Sequence, residues 1–448
     1  MTPKTWKSCL GVLCLLAAGT ANAAKISFSE KGFIDVGALV QAQYRIEQDA
    51  AATGSDPSND FLLRRARILL SGQFDDHIAF ILSTEISYGA IGPAGSNAVP
   101  GGTNSGAAGS TYVGGTGAGF NNAIYLNDAL ASYKVDKQLI IDAGLMLVPY
   151  SHNAETGSGK FFTVNIFPSF FAPNSQRNTR DVGVLVRGLL LDDRIYYRLG
   201  VFNGVQTTGT PTGTANINAG DAPLFAGMLR FNFAGKEDGY AWCQMCFASS
   251  PLISVGVTAN YQANAYRATV QRSPTTTGIV KGKWLVVNGD IFFDFPFSKD
   301  VELSVDALFT KVWAGEETTP TTGNPFNAPA NGYGVFAALA LRFGVIAPFG
   351  QIEWFQSDAA YLGRTVTVSG TPPVTTTTVN MNGDVKTYRF GLNWYLVQNI
   401  YKITAEMSFQ ARQKAGATDA SVGGSPTNTT PIITANHWLG TLQASVNF

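Results

Sequence analysis

Three arginines lie close together in an otherwise apolar stretch, NDFLLRRARILLSGQFDD, at residues 59–76: Arg64, Arg65 and Arg67. A guanidinium group keeps its charge at any ordinary pH, and its fork of donors matches the oxygens of a carboxylate or a phosphate. Such charges cannot be buried without a partner, so they must face water, an anion or an opposite charge. The residue types therefore suggest anion binding, provided that one structural element presents them together.

Residues suited to acid–base catalysis are few. The chain has three histidines, His77, His152 and His437, and His152 follows Ser151 with Glu155 as the only nearby carboxylate in sequence. Proximity in sequence is weak support for a catalytic arrangement, and no nucleophile motif or metal-ligand cluster accompanies it. We therefore predict that the protein is not an enzyme and needs no cofactor or metal; a barrel enzyme remains the alternative.

A CxxC pair occurs in the segment WCQMCF at residues 242–247. Phe247 stands where a c-type haem attachment site has histidine, and a single pair supplies too few ligands for a closed zinc site. We predict a small disulfide between Cys243 and Cys246 in a turn, with a redox or metal role as the lesser alternative.

The first 23 residues have the features of a secretory signal peptide. Lys4 and Lys7 precede an apolar stretch over residues 9–18, and the small-residue pattern at 21–23 is a cleavage site. Removing this segment takes away two of the 31 basic residues and none of the 31 acidic ones, so the mature chain is slightly acidic. That balance argues against a nucleic-acid partner.

The elements that carry these residues alternate with a period of two. In the last twelve residues, HWLGTLQASVNF, one face of an extended strand is apolar and ends in Phe448, while the other face is polar. The same alternation recurs over residues 34–43 and 401–410. Such a pattern predicts strands of about ten residues with one oily and one wet face.

The connections between strands alternate in length. Seven are turns, near residues 75–76, 135–137, 191–193, 235–250, 296–300, 344–348 and 397–399. Eight are long and rich in Gly, Thr, Ser, Pro or Asn, near residues 47–60, 89–122, 148–181, 204–222, 266–281, 313–332, 359–383 and 412–436. Residues 24–448 are therefore predicted to form an all-β fold, a transmembrane antiparallel β-barrel of 16 strands with short periplasmic turns and long extracellular loops. A secreted β-sandwich or β-helix is the alternative.

The period of two also assigns charged residues to the lumen. The basic candidates are Arg45, Arg65, Arg67, Arg187, Arg198, Arg230, Arg342, Arg389 and Lys402. The acidic candidates are Asp35, Glu85, Asp142, Asp290, Asp294, Glu302, Asp306, Glu353 and Glu406. Arg64 has the lipid-facing parity together with Leu62 and Ala66, so we expect it near the membrane rim. The lumen charges either select solutes or merely solvate the wall and pair with one another.

Four blocks of sequence carry a family resemblance: FLLRRARILLSGQFDDHIAF (61–80), NDALASYKV (127–135), DAGLMLVPYS (142–151) and NTRDVGVLVRGLLLDDRIYYRLGVFNG (178–204). In order and spacing they resemble the phosphate-selective porin O and P family. The resemblance implies a trimeric channel of sixteen strands whose third long loop, here 148–181, folds inward. It also implies conduction of anions, with phosphate or pyrophosphate as the best-known cargo.

Carried over by position, the resemblance assigns Arg65 and Arg67 to the channel lining, with Arg187 and Arg198 behind them. The basic groups that it makes available at the narrowing are Lys160, Arg177 and Arg180. Together with Arg230, assigned by parity, these are the predicted anion-binding residues. Three apolar residues at 145–147 depart from the family pattern, as does the equal number of acidic and basic lumen residues.

The sequence thus predicts a porin in the outer membrane of a Gram-negative bacterium, through which small hydrophilic solutes diffuse passively with some preference for anions. The expected partners are outer-membrane lipid, small anionic or polar solutes and two further copies of the chain in a homotrimer. A general unselective porin, or a barrel that sheaths or binds a partner protein, remains the alternative.

Overall fold

The computed structural model of the chain describes residues 24–48, 56–86, 124–164, 180–204, 222–237, 239–273, 276–314, 332–357, 365–366, 377–378, 385–412 and 437–448. Their long strands form one antiparallel sheet that closes on itself, since the last long strand pairs with the first. Among these residues no helix has the length and apolar character needed to cross a membrane.

Sixteen long strands build the barrel, with three shorter ones outside it. The barrel strands are β2 (Phe33–Glu47), β3 (Ser58–Gln73), β4 (Ile78–Ile86), β5 (Ile124–Lys134), β6 (Ile140–Leu147), β7 (Arg180–Leu190), β8 (Ile195–Phe202), β9 (Leu224–Ala234), β10 (Leu252–Ser273), β11 (Thr276–Ser298), β12 (Val301–Ala314), β13 (Gly332–Phe343), β14 (Ile346–Ser357), β17 (Val385–Val397), β18 (Tyr401–Arg412) and β19 (His437–Asn447). The short ones are β1 (Ala24–Ser27), which pairs with β2, and the hairpin β15 (Thr365–Val366) and β16 (Thr377–Thr378).

Closure of the sheet gives every barrel strand a partner on both sides. β19 pairs with β2 in antiparallel register from Leu439 opposite Glu47 to Asn447 opposite Leu39. The carbonyl and amide of the terminal Phe448 continue this ladder by bonding to Ala38. Because a barrel has no free edge, its backbone polar groups are satisfied inside a hydrocarbon layer that offers none.

The predicted alternation of faces is present along the strands. On β9, Leu229, Phe231 and Phe233 are exposed on the outer surface, while Arg230 and Asn232 between them are buried in the interior. Exposed apolar residues recur on the other strands in the same way. This apolar outer belt is what a lipid-facing barrel requires.

The predicted turns lie between barrel strands, but one predicted loop is a sheet. The segment 266–281 was expected to be irregular, whereas β10 and β11 continue through it as a hairpin and remain paired as far as Ser273 opposite Thr276. Its sequence, YRATVQRSPTTTGIVK, is rich in β-branched residues, which favour extended pairing over a loop.

The position of Arg64 corrects the predicted faces of β3. Gln41 of β2 pairs with Arg65 and the next residue, Ala42, pairs with Leu63, so Arg64 is the extra residue of a β-bulge. Beyond a bulge the alternation shifts by one residue. Leu62, which was predicted to face lipid, therefore shares the inner face with Gln43, its partner across the sheet.

Candidate functional site: the barrel interior

Residues 148–164, the described part of the predicted loop 148–181, lie inside the barrel; we call them the inner loop. They include the helix α1 (His152–Glu155), which is N-capped by Ser151. The loop backbone is held by the wall: Asn260 of β10 donates to the carbonyl of Pro149 at 3.0 Å, and Asn288 of β11 donates to that of Tyr150 at 2.7 Å. The inner loop therefore packs against β10 and β11.

After α1 the inner loop crosses to the opposite wall. The Ser158 hydroxyl accepts from Nη1 of Arg67 at 2.9 Å, and its carbonyl accepts from Gln41 at 3.0 Å. The Lys402 ammonium donates to the carbonyl of Phe161. Since the loop touches β11 on one side and β2, β3 and β18 on the other, it spans the cross-section of the lumen.

A second segment enters the barrel from the periplasmic end. It belongs to the turn between β9 and β10, and we call Glu237 together with residues 239–249 the inner turn. The amide of Trp242 donates to the carbonyl of Glu155 at 3.0 Å, and the amide of Gly157 donates back to the carbonyl of Trp242 at 3.0 Å. Gln244 accepts from the amide of Phe162 at 2.9 Å. Inner loop and inner turn thus form one hydrogen-bonded unit in the lumen.

The entry of the inner turn was not predicted from the sequence. A signal was nevertheless present, because this turn is the longest of the seven and carries Trp242, Met245 and Phe247, which are costly to leave exposed in a periplasmic turn. In the structure Trp242 and Met245 are buried. The predicted disulfide is confirmed, as Cys243 and Cys246 are bonded.

His152 lies where the loop, the turn and the wall meet. Its Nε2 is 2.8 Å from Glu237 of the inner turn, its Nδ1 is 3.1 Å from Asp306 of β12, and its ring stacks on Phe292 at 3.9 Å and on Trp242 at 5.4 Å. Burial opposes the charged form, but the carboxylates of Glu237 and Asp306 outweigh it and raise the pKa of His152 to about 9. The two carboxylates that contact His152 are both distant in sequence, so proximity in sequence, which offered only Glu155, did not reveal them.

Two of the predicted anion-binding residues are covered by these segments. Arg198 pairs with Glu155 of α1, and Arg230 pairs with Glu237 at 2.7 Å and with Asp290 at 2.6 Å. Both arginines are completely buried. This differs from the prediction that they line the open channel, because the inserted segments supply carboxylates that parity on the strands cannot reveal.

The other predicted residues take different positions. Arg187 pairs with Asp142 at 2.6 Å and Arg180 with Asp128 at 2.8 Å, both on the wall, and Arg177 lies outside the described residues. Lys160 of the inner loop is half-buried, and burial lowers its pKa. Within the part of the chain that the structure describes, no carboxylate forms an ion pair with Lys160.

Five basic residues of β2, β3, β17 and β18 lie on one side of the interior. We call them the arginine wall: Arg45, Arg65, Arg67, Arg389 and Lys402. Arg67 pairs with Glu85, and Arg65 donates to Gln41 at 2.7 Å with Glu85 at 3.9 Å. Arg45 donates to Gln43 at 2.9 Å. Arg45 remains 8% exposed and Arg67 7%, whereas Asp294 and Asp306 across the barrel have no exposed surface.

A closed antiparallel barrel with an apolar outer belt and a charged interior narrowed by inserted segments defines the class of outer-membrane channel barrels. Within this class, residues 34–228 match the family model of phosphate-selective porin O and P. The family resemblance seen in the sequence is therefore confirmed over this stretch, which is somewhat under half of the 448 residues. None of the curated proteins matches the chain in sequence.

Solved structures share the fold. The outer-membrane channel DcaP of Acinetobacter baumannii has a TM-score of 0.52 at 10% identity, with 95% of this chain and 100% of that chain covered. An anion-selective porin from Comamonas acidovorans has a TM-score of 0.50 at 12% identity, covering 93% and 100%. The predicted 16-strand barrel is thus confirmed, and the predicted location in the outer membrane agrees with both findings.

Proposed function

We propose that this chain is an outer-membrane porin through which small hydrophilic solutes diffuse passively, with a preference for anions. The observation that carries the proposal is the asymmetry of the interior. Acidic residues of β11 and β12 are covered by the inner loop and inner turn, while Arg45 and Arg67 of the arginine wall keep exposed surface. Guanidinium groups along a narrow passage stabilise a partly dehydrated anion.

The test is a salt-gradient reversal potential of the protein reconstituted in a planar bilayer. An anion-preferring channel gives a reversal potential of the sign set by chloride, and added phosphate lowers the chloride conductance if phosphate-type anions bind the wall. Replacing Arg45 and Arg67 by Gln should weaken the preference, while Lys299→Gln, in a fully exposed turn, should not. Cation selectivity of the unaltered protein would refute the proposal.

The phosphate specificity that the family name carries is a narrower proposal. Its support here is the group of arginines and the Lys160 ammonium, which fit phosphate oxygens as well as carboxylates. Titration of phosphate against chloride current separates it from a general porin, because an unselective channel gives currents in the ratio of the bulk conductivities of the two salt solutions and is not blocked by phosphate.

Two other classes of function fit the interior less well. A barrel that sheaths a partner protein would have to expel the inner loop and inner turn, which narrow the lumen. A hydrolase would need a free nucleophile, yet Ser151 Oγ accepts from the amide of Ala154 at 3.2 Å and His152 faces a carboxylate on each nitrogen. Measurable conductance of the isolated chain decides against the sheath.

The signal peptide over residues 1–23, which lie outside the described part, and the homotrimer both remain proposals. Mass determination of the exported protein tests the cleavage after Ala23. Chemical cross-linking in detergent tests the trimer, and outer-membrane lipid is the expected surrounding of the apolar belt.

A further inference from the structure

Four carboxylates lie on the neighbouring strands β11 and β12; we call them the acidic wall: Asp290, Asp294, Glu302 and Asp306. Each is 2% exposed or less. Carboxylates lining a pore attract cations, so four of them in the path of a solute would oppose an anion preference. What covers the acidic wall therefore decides which ions the channel favours.

The inner turn supplies hydrogen-bond donors to three of these carboxylates. The amide of Cys246 donates to Asp294 at 3.0 Å, and the amide of Phe247 donates to Glu302 at 2.9 Å. The side-chain amide of Gln244 donates to Asp306 at 3.0 Å. The fourth carboxylate, Asp290, is paired with Arg230.

The inner turn carries no charge of its own in its central part. Residues 239–249, GYAWCQMCFAS, contain neither acidic nor basic side chains, so the cover acts through backbone and amide donors. Charge-assisted bonds of this kind are stronger than neutral ones and take the carboxylate away from water and mobile ions. The turn thus removes negative charge from the solute path without placing positive charge in it.

The conformation of the turn fits this task. Phe247 has a φ of 52°, a left-handed conformation that a non-glycine residue adopts only when its surroundings hold it. The Cys243–Cys246 bond closes the chain just before this residue, and the Phe247 ring lies under the guanidinium of Arg342 at 4.9 Å. These contacts fix the two adjacent amides, those of Cys246 and Phe247, on the acidic wall.

The turn is also anchored to the inner loop and to the periplasmic rim. The backbone amide of Gln244 donates to the carbonyl of Lys160 at 3.2 Å, and Asn399, in the turn between β17 and β18, donates to the carbonyl of Met245 at 2.8 Å. The donors of the inner turn described above reach carboxylates of the acidic wall, whereas Arg67 and Lys402 of the arginine wall donate to the inner loop.

We propose that the inner turn is a specificity-determining element of the channel: it occupies the acidic wall with hydrogen-bond donors and leaves the arginine wall to set the ion preference. This inference rests on the proposed channel function and adds to it the element that hides the opposing charge. Without the turn, Asp294, Glu302 and Asp306 would lose these donors, while Glu302 would keep its ion pair with Arg342 and Asp306 its contact with His152.

The test replaces residues 239–249 by Gly-Ser-Gly and compares the reversal potential with that of the unaltered protein. The matched control replaces residues 420–430, ASVGGSPTNTT, by the same tripeptide, since this segment is equally long and also uncharged. Neither change alters the net charge. A single carboxylate about 4 Å from a passing ion changes its occupancy about fivefold in water, so the anion-to-cation permeability ratio should fall about fivefold or more.

The outcomes separate the inference from the function on which it rests. A larger conductance with an unchanged permeability ratio overturns the inference, because the turn is then only an obstruction. Restoration of the anion preference by adding Asp294→Asn, Glu302→Gln and Asp306→Asn to the shortened chain supports it. Cation selectivity or absence of current in the unaltered protein would instead refute the proposed function.

A second variant keeps the whole backbone in case the shortened chain does not fold. Replacing Cys243 and Cys246 by Ser releases the closure that holds the two amides, and the permeability ratio should move in the same direction by a smaller factor. A ratio equal to that of the unaltered protein in this variant, with the chain folded and conducting, contradicts the inference.

Discussion

Neutralising Glu85 should increase the anion preference of the channel. Glu85 of β4 pairs with Arg67 and lies 3.9 Å from Arg65, so one carboxylate faces two guanidinium groups of the arginine wall. Glu85→Gln keeps the size and the hydrogen-bonding capacity of the side chain but removes its charge. The interior then gains one net positive charge next to the residues that a permeating anion meets.

The magnitude follows for an anion that approaches Arg67 and thereby passes about 4 Å from the side chain of Glu85. One unit charge about 4 Å from an ion contributes about 1 kcal/mol in water and about 4 kcal/mol in a medium of lower effective dielectric constant. Because the passage is water-filled, the smaller value applies, and it corresponds to about a fivefold rise in the anion-to-cation permeability ratio. The measurement is the reversal potential in a planar bilayer under a potassium chloride gradient.

The matched control is Asp300→Asn, which makes the same change of charge in an exposed turn. Its side chain is 63% exposed, and charges beyond a Debye length of about 10 Å are screened at about 0.1 M salt, so the ratio should not change. An unchanged ratio in Glu85→Gln, or a shift towards cations, would show that Arg65 and Arg67 do not act on the permeating ion.

Three further predictions concern the inserted segments. Because burial lowers the pKa of Lys160, the anion preference should weaken as the pH rises through a value below that of an ordinary lysine, and reversal potentials of Lys160→Gln should lack this step. Despite burial, Glu237 and Asp306 raise the pKa of His152 from 6.5 to about 9. The stabilising contribution of His152 is therefore complete below about pH 6.5 and is lost as the pH rises through about 9. The protection of the inner loop against hydrogen exchange should decrease over the same pH range, and this decrease should be absent in His152→Asn. Arg230→Gln leaves the buried carboxylates of Glu237 and Asp290 without their partner, so it should lower the free energy of unfolding by about 3–5 kcal/mol. Urea titration of the vesicle-inserted protein measures this loss. The control Lys299→Gln, at an exposed position, should change the free energy of unfolding by less than about 0.5 kcal/mol.

The barrel was predictable because its determinants are local. A strand that separates lipid from water must alternate residue by residue, and this alternation is visible in β9 and β19 without any knowledge of neighbouring strands. The number of strands was also predictable, because the alternation of short turns and long loops is visible in the sequence itself. Local rules failed at two places: the bulge at Arg64 shifts the alternation, and the segment 266–281 extends as paired strands.

The interior was predictable only in part. Parity assigned Arg45 on β2 and Lys402 on β18 to the inner face, and both are buried inside the barrel. Parity could not show which of these charges a permeating solute meets, because the nine basic and nine acidic candidates all have the same inward position along their strands. The partner of His152 on β12 lies 154 residues away, and no spacing rule reaches that far.

By itself, therefore, the sequence determined a sixteen-strand barrel, the inner face of charged residues on regular strands and a disulfide between two nearby cysteines. Only the tertiary structure decided which charges stay open to a solute. The reason is that the inner loop and inner turn, which are distant in sequence from β11 and β12, supply the donors to Asp294, Glu302 and Asp306. Two of these donors are backbone amides, which nearly every residue type has, so the residue types in the sequence do not reveal them.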